Sequence, residues 1–442
     1  MSVPHPPAIL PRAAGLPFET ALDTMRVVVV TGPRQAGKST FVRTYPQTAR
    51  RPYFTLDDSA TLVRVQADRS AFVRSEPEMT IDEVQRDPAL ILAIKTAVDA
   101  AQPQRRGQFL LTGSANLLMM QQVGDSLAGR AYYLRMWPLT RREQLGFGTA
   151  GIWTRFFETN PDEWLALVRD EAVPEEDWRD AVRRGGFPAA VLDVRTDEAR
   201  SLWFDGYVAT YLERDLRDLQ SVGNLQDFQT LMQVAALRIG NLVNYADLAR
   251  DVRMPASTVR QHMNLLETSY QIVRLPPYMR NRTTRLIKSP KLYWNDTGLA
   301  TSLSGGTPTG AHLENYVLND LLAWRDTQIP RPEISYWRTA AGAEVDFVIE
   351  RRQELLAIEV KATANPTPRD ATSPRQHNAM LARSIRRVPG QRISHASRIA
   401  SYQGREEGAD ASINASRICF ASLSDIAPTR AKAASASVVC TR

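Results

Sequence analysis

The run Val27-Val28-Val29-Val30, followed by Thr31-Gly32-Pro33-Arg34-Gln35-Ala36-Gly37-Lys38-Ser39-Thr40, constrains this chain more than any other stretch. Four consecutive valines predict a strand covered on both faces, as in a parallel sheet. The residues after it fit G-x-x-x-x-G-K-[ST], a tight loop between strand and helix that wraps a phosphate chain. Gly32 and Gly37 permit the turns that aim backbone N–H groups at phosphate oxygens. Lys38 would reach the β- and γ-phosphates, and the Ser39 hydroxyl would ligate Mg²⁺. The expected ATP-binding set is therefore Gly32, Pro33, Arg34, Gln35, Ala36, Gly37, Lys38, Ser39 and Thr40. A glycine-rich turn with a stray lysine is the alternative, and the buried strand before the loop weakens it.

Hydrolysis needs carboxylates near that loop. Met79-Thr80-Ile81-Asp82-Glu83 reads as a short strand ending in two acids, some forty residues after Lys38. Asp82 would hold Mg²⁺ and Glu83 would orient or deprotonate the attacking water. The blander reading is a helix N-terminus, where the dipole favours acids. Phe109-Leu110-Leu111-Thr112 is another buried strand, and beyond it Ser114 or Asn116 could touch the γ-phosphate. Strands alternating with helical patterns, such as 90–101, predict a parallel sheet flanked by helices.

Composition narrows the rest. A chain of 442 residues exceeds one core and predicts several domains. No run approaches the roughly 18 apolar residues of a membrane span, and the start lacks the order of a signal peptide. Two cysteines and five scattered histidines give no disulfide framework and no zinc site. A cytoplasmic location without membrane association is expected. The net charge is +7, and residues 371–442 alone hold 11 basic and 4 acidic residues. The remainder is balanced, so bulk charge is no argument for nucleic-acid binding by the folded body.

Gly32 to Thr40, Leu56-Asp57-Asp58, Ile81 to Gln85, Leu111-Thr112-Gly113-Ser114, Gly129-Arg130, Pro138-Leu139-Thr140 and Gly185-Gly186-Phe187-Pro188 occur in an order that resembles a widespread group of prokaryotic AAA-type ATPases. The resemblance covers roughly 20–370 and implies an ATPase core ahead of a C-terminal domain of uncharacterised function. It also makes Arg130 a candidate for contacting transition-state charge, in the same chain or from a neighbouring subunit. The alternative for Arg130 is a surface ion pair.

Downstream, Trp153, Trp164, Trp178 and Trp203 predict a helical lid or linker with an aromatic core. Tyr245 to Val252, a turn at Arg253-Met254-Pro255, and a second helix from Ala256 to Ser269 predict a helix-turn-helix with a winged ending. As a DNA reader it would present Ser257, Thr258, Arg260, Gln261 and Asn264; as a structural module it would pack on the ATPase or on a protein partner. In Leu356-Ala357-Ile358-Glu359-Val360-Lys361, period two puts Glu359 and Lys361 on one face, with Asp346 one strand earlier. Two carboxylates and a lysine so placed can hold Mg²⁺ and activate water. With Glu314 on the preceding helix, this order resembles the PD-(D/E)xK nuclease superfamily.

The expected fold class is α/β. It comprises a P-loop NTPase (AAA-like) parallel sheet over 1–150, a helical linker over 151–228, a winged helix over 229–280 and a restriction-endonuclease-like α/β domain over 281–370. A basic, serine-rich tail over 371–442 is expected to be disordered or divergent. The expected activity is ATP binding and hydrolysis with Mg²⁺, coupled to rearrangement of DNA- or protein-binding C-terminal modules, with oligomerisation possible. An ATP-regulated Mg²⁺-dependent nuclease and an ATP-gated binding module without turnover are the alternatives.

Overall fold

The computed structural model describes residues 9–101, 105–113, 127–149, 151–171, 176–211, 224–279, 288–339, 344–352, 354–362, 417–421, 433–434 and 437–438. Its first layer is a parallel sheet. The strands are β1 (Val27–Thr31), β2 (Tyr53–Thr55), β3 (Met79–Asp82), β4 (Phe109–Thr112) and β5 (Ala131–Arg135), in the order β2-β3-β4-β1-β5. The valine run is β1, between β4 and β5, in register Val27 with Phe109 and with Ala131. Its alternate side chains feed opposite cores. Val27 and Val29 pack with Ile81, Ile94 and Leu111, while Val28 and Val30 pack with Phe18, Phe41 and Leu134. Burying each valine contributes about 1.5–3 kcal/mol, so this strand anchors both faces of the sheet.

Strands pointing the same way leave all their C-terminal ends at one edge. Thr31, Asp82 and Thr112 therefore finish side by side, where open α/β sheets bind ligands.

The second half shares one core. Trp137, Trp164, Phe187, Phe228, Leu266, Trp294, Leu321 and Phe347 belong to a single buried cluster. The ranges expected as linker, winged helix and nuclease-like domain thus pack together. Helices Leu225–Leu237, Tyr245–Val252 and Ala256–Thr268 precede β6 (Ile272–Leu275), which pairs antiparallel with β7 (Lys291–Trp294). Asn244 caps the middle helix by accepting from the Ala246 and Asp247 amides. On helix Ala256–Thr268 the side chains of Ser257, Arg260, Gln261 and Asn264 are exposed and Thr258 is half-buried.

Helix Gly310–Thr327 lies against an antiparallel sheet of β8 (Glu333–Arg338), β9 (Glu344–Arg351) and β10 (Glu354–Lys361). Beyond β10, β11 (Arg417–Ala421) pairs antiparallel with it, β12 (Ala433–Ala434) pairs parallel with it, and β13 (Ser437–Val438) pairs with β11. At these positions the tail, expected to be disordered or divergent over 371–442, is strand. Residues 363–416, 422–432, 435–436 and 439–442 lie outside the described set.

A turn motif joins the halves. Asp296 accepts from the Gly186 amide at 2.6 Å and caps helix Thr297–Leu303 through the Leu299 amide at 2.8 Å. The Gly186 carbonyl accepts from the Leu139 amide at 2.6 Å. Full burial pushes the Asp296 carboxyl up to about 6, against these backbone donors, which favour its charged form. Below pH 3.8 the group is protonated in both states. Between 3.8 and about 6 the native state holds the proton more tightly, so its contribution to stability falls as pH rises and levels off above 6. The stability of the wild type relative to Asp296→Asn should therefore drop by about 2 kcal/mol between pH 4 and pH 7.5 in urea titrations. A difference independent of pH would contradict it.

Candidate nucleotide site and the distal carboxylate cluster

The phosphate loop leaves β1 through Gly32 and enters helix Lys38–Thr44 through Gly37, whose φ of 88° lies in the left-handed region. Lys38 is buried and its Nζ donates to the Gly32 and Pro33 carbonyls at 3.1 and 2.7 Å. The ammonium is therefore folded over the loop, where it can exchange these carbonyls for phosphate oxygens. Arg34, Gln35 and Ala36 form the arch, with Gln35 at φ 58°. Thr40 is exposed on the helix beyond the loop.

Asp82 is the hub of the site. One oxygen accepts from Ser39 Oγ at 3.0 Å and from Thr112 Oγ1, and the other from Tyr53 OH at 2.5 Å. Burial and the Asp82 carboxylate raise the Tyr53 phenol, which keeps it a donor. Ser39 Oγ and Asp82 Oδ1 thus offer adjacent oxygens of the kind Mg²⁺ prefers, and the donor set fits that ion. Glu83 follows at φ 56°, a left-handed conformation uncommon for glutamate, which turns its side chain away from the strand direction. Gln85 Nε2 donates to its carboxylate. Desolvation raises the Glu83 carboxyl, opposed by Lys38 and reinforced by Asp82. A desolvated carboxylate beside a lysine and next to the Mg²⁺-type oxygens can accept a proton from water.

Several partners carried no obvious sequence signal. Arg12 donates to the Ala36 carbonyl at 2.8 Å and the Trp137 carbonyl at 2.5 Å, and pairs with Glu143 at 3.0 Å. It fastens the arch of the loop to the end of the sheet. Glu143 completes a capping box with Thr140, and that T-x-x-E spacing is legible in the sequence. Tyr270, directly after helix Ala256–Thr268, donates to Thr31 Oγ1 at 3.1 Å, and the Arg135 guanidinium lies 4.9 Å from its ring centroid.

Other expected residues lie elsewhere. Arg130 sits at the opposite edge of the sheet, where its carbonyl accepts from the Val27 amide and its guanidinium forks onto Asp99 at 2.6 and 2.8 Å. Contact with phosphate in the same chain is therefore corrected: the whole length of β1 separates them. Ser114 and Asn116 lie outside the described residues.

The distal carboxylates do gather, but around a lysine. Lys291 on β7 is buried, and its Nζ lies 2.9 Å from Glu314, 3.5 Å from Asp346 and in contact with Glu344. Tyr293 OH also donates to Glu314. Asp346 Oδ2 accepts from the Val360 amide at 2.8 Å, and Glu359 pairs with Lys361 at 2.6 Å. Burial and mutual repulsion with Asp346 push Glu314 and Glu359 up to about 7. Among the described residues, no group of three or more His, Cys, Asp and Glu side chains is arranged to hold a metal ion. The residues expected to form a second Mg²⁺ site, Asp346 and Glu359 with Glu314 and Lys361, are thus brought close together, with Lys291 and Lys361 against the acids. One oxygen of Glu314 meets Lys291 and Tyr293, Asp346 meets Lys291 and the Val360 amide, and one oxygen of Glu359 meets Lys361.

Comparison with known proteins places this geometry. Residues 24–145 match the profile of the AAA domain, 175–310 the Domain of unknown function (DUF8612) and 309–401 the Domain of unknown function (DUF4143). The chain is 29% identical over 365 residues to "Uncharacterized protein Rv2008c" of Mycobacterium tuberculosis, covering 80% of this chain and 75% of that one. It is 22% identical over 244 residues to "Uncharacterized protein MJ1544" of Methanocaldococcus jannaschii, covering 54% and 52% respectively. The Walker-type ATPase PABY2304 of Pyrococcus abyssi superposes with a TM-score of 0.41 at 15% identity, over 66% of this chain and 98% of that one. No helix among the described residues is long and apolar enough to cross a membrane. Phosphate-loop motif, parallel sheet and profile match agree on an ATP-binding, AAA-type P-loop ATPase domain in the first third of the chain.

Proposed function

We propose that this chain binds Mg·ATP at Gly32 to Thr40, hydrolyses it with Glu83 as the water-orienting base, and relays the nucleotide state to its C-terminal half. The observation that carries the hydrolytic part is the convergence of Ser39, Tyr53 and Thr112 on Asp82, with Lys38 folded over the loop. Ser39 and Asp82 would hold Mg²⁺, which neutralises phosphate charge as it moves to the leaving group. Lys38 adds a second cation on the same oxygens. Arg130 takes part only if a second copy docks against the site.

The relay rests on Tyr270. Its hydroxyl touches Thr31 at the mouth of the phosphate loop, while its backbone joins helix Ala256–Thr268 to β6. A loop that shifts on binding phosphate would move Thr31 and so that helix, whose exposed Ser257, Arg260, Gln261 and Asn264 could read DNA as a winged helix-turn-helix. A protein partner on the same face is the other reading, and phosphate release with and without duplex DNA separates the two.

Lys38→Ala should weaken binding of a fluorescent ATP analogue at least tenfold, about 1.4 kcal/mol. Wild-type affinity in that variant would overturn the assignment of the loop. Tyr270→Phe removes only a hydroxyl, so it should leave ATP affinity within a factor of about three while uncoupling any stimulation of turnover by DNA.

A further inference from the structure

Two of the carboxylates that a nuclease-like sheet would use for Mg²⁺, Glu314 and Asp346, meet the Lys291 ammonium, and a third, Glu359, meets Lys361. The geometry points to Lys291 as the resident cation of the Glu314, Glu344 and Asp346 cluster, an internal charge that closes this site to divalent ions. The inference is independent of the nucleotide reading, because no residue of the cluster touches the phosphate loop.

Three observations support it. The Lys291 side chain is 4% exposed, so its ammonium cannot swing into solvent without leaving the fold. Its Nζ lies 2.9 Å from Glu314 and 3.5 Å from Asp346, and it contacts Glu344. These are oxygens from a helix and a strand that would otherwise repel one another, and either a divalent ion or an ammonium can hold them together. Finally, the Lys291 backbone is held from two sides. It pairs with Leu275 on β6 and forms an antiparallel bridge to Leu242, while the neighbouring Pro290 carbonyl accepts from the Val243 amide at 2.8 Å. The cation is therefore delivered by a strand rather than by a loose surface side chain.

The remaining lone pairs offer a divalent ion little. Asp346 Oδ2 is taken by the Val360 amide, Glu314 accepts from Tyr293 OH, and Glu359 faces its own cation, Lys361, at 2.6 Å. Mg²⁺ demands near-octahedral oxygen ligation at about 2.0–2.1 Å and would have to displace the ammonium to obtain it. While Lys291 stays in place, the sheet has a nuclease-like order of acids but no room for the ion that would activate water.

The probe is Mn²⁺ alone, titrated into the full chain without nucleotide and followed by electron paramagnetic resonance of the free ion. Wild type and Asp346→Asn should bind Mn²⁺ with the same stoichiometry. Lys291→Met keeps the chain length and removes the charge. It should gain one further Mn²⁺ at least tenfold tighter than any wild-type binding there, and adding Asp346→Asn should abolish that gain. A wild-type Mn²⁺ site lost in Asp346→Asn would overturn the inference, as would a folded Lys291→Met that gains none. Should Lys291→Met fail to give a native near-ultraviolet spectrum, the wild-type and Asp346→Asn titrations decide alone: identical curves support the resident cation and different ones refute it.

Discussion

Glu83→Gln should bind Mg·ATP close to wild-type affinity and release phosphate about a hundred- to a thousandfold more slowly. The substitution keeps size and shape, and it leaves the loop, Lys38, Ser39 and Asp82 untouched. It removes the desolvated carboxylate that stands beside Lys38 and Asp82. A general base positioned on the reacting water typically contributes 10²–10⁴-fold. The lower part of that range applies here because Glu83 reaches its place through a left-handed backbone residue rather than a rigid strand. The same desolvation that raises its carboxyl sets a pH signature. Wild-type turnover should decline as pH falls through the raised value, since the protonated acid cannot accept, and Glu83→Gln should lose that limb. Single-turnover phosphate release beside equilibrium binding measures both. Equal rates in wild type and variant would remove Glu83 from the mechanism.

How far this site could be read in advance depended on the range of each interaction. The phosphate loop and Asp82-Glu83 are local: a strand, a tight turn and two acids lie contiguous in sequence, and periodicity announces them. Tyr53 and Thr112 reach Asp82 from strands 29 and 30 residues away, and only the order β2-β3-β4 makes them neighbours. The period-two reading of β10 placed Glu359 and Lys361 on a common face, where they do pair. It could not foresee Lys291, because that residue arrives from β7, a strand that belongs to the hairpin with β6 and not to the sheet bearing the acids. A motif defines which carboxylates are available, whereas the fold decides which cation they meet. Arg130 illustrates the same limit. Its neighbour Gly129 and the strand after it are legible, but the end of the sheet on which it lies is set by the parallel register of β5 with β1.

The contact between Tyr270 and Thr31 sets the two halves in a common frame. Thr31 closes the valine strand, and its hydroxyl accepts from Tyr270 of the C-terminal half. Buried on both faces, β1 is held rigidly between two cores.

That rigidity makes Gly32→Ala a strongly damaging substitution in the first domain. Gly32 has φ 142°, outside the range that side chains accept easily, and an added Cβ would fall deep inside contact with the Met136 carbonyl oxygen and 3.2 Å from its carbon. Met136 cannot retreat cheaply, since its amide donates to the Thr31 carbonyl at 2.8 Å and so ends the pairing of β1 with β5. Positive-φ strain contributes about 1–3 kcal/mol, and overpacking against fixed backbone a similar amount again. A loss of about 3–5 kcal/mol is therefore expected, seen as a fall of roughly 10 °C or more in the melting of this domain. ATP binding should fall with it, because the loop must leave its register to make room. Gly206→Ala is the matched control: its added Cβ meets nothing within 4 Å on helix Asp197–Thr210, so it should be neutral or stabilising by up to about 1 kcal/mol. If Gly32→Ala melted and bound ATP like Gly206→Ala, the close approach of the loop to β5 would not be what fixes the phosphate cradle, and the geometry of Lys38 and Ser39 would have to be held from the Arg12 side alone.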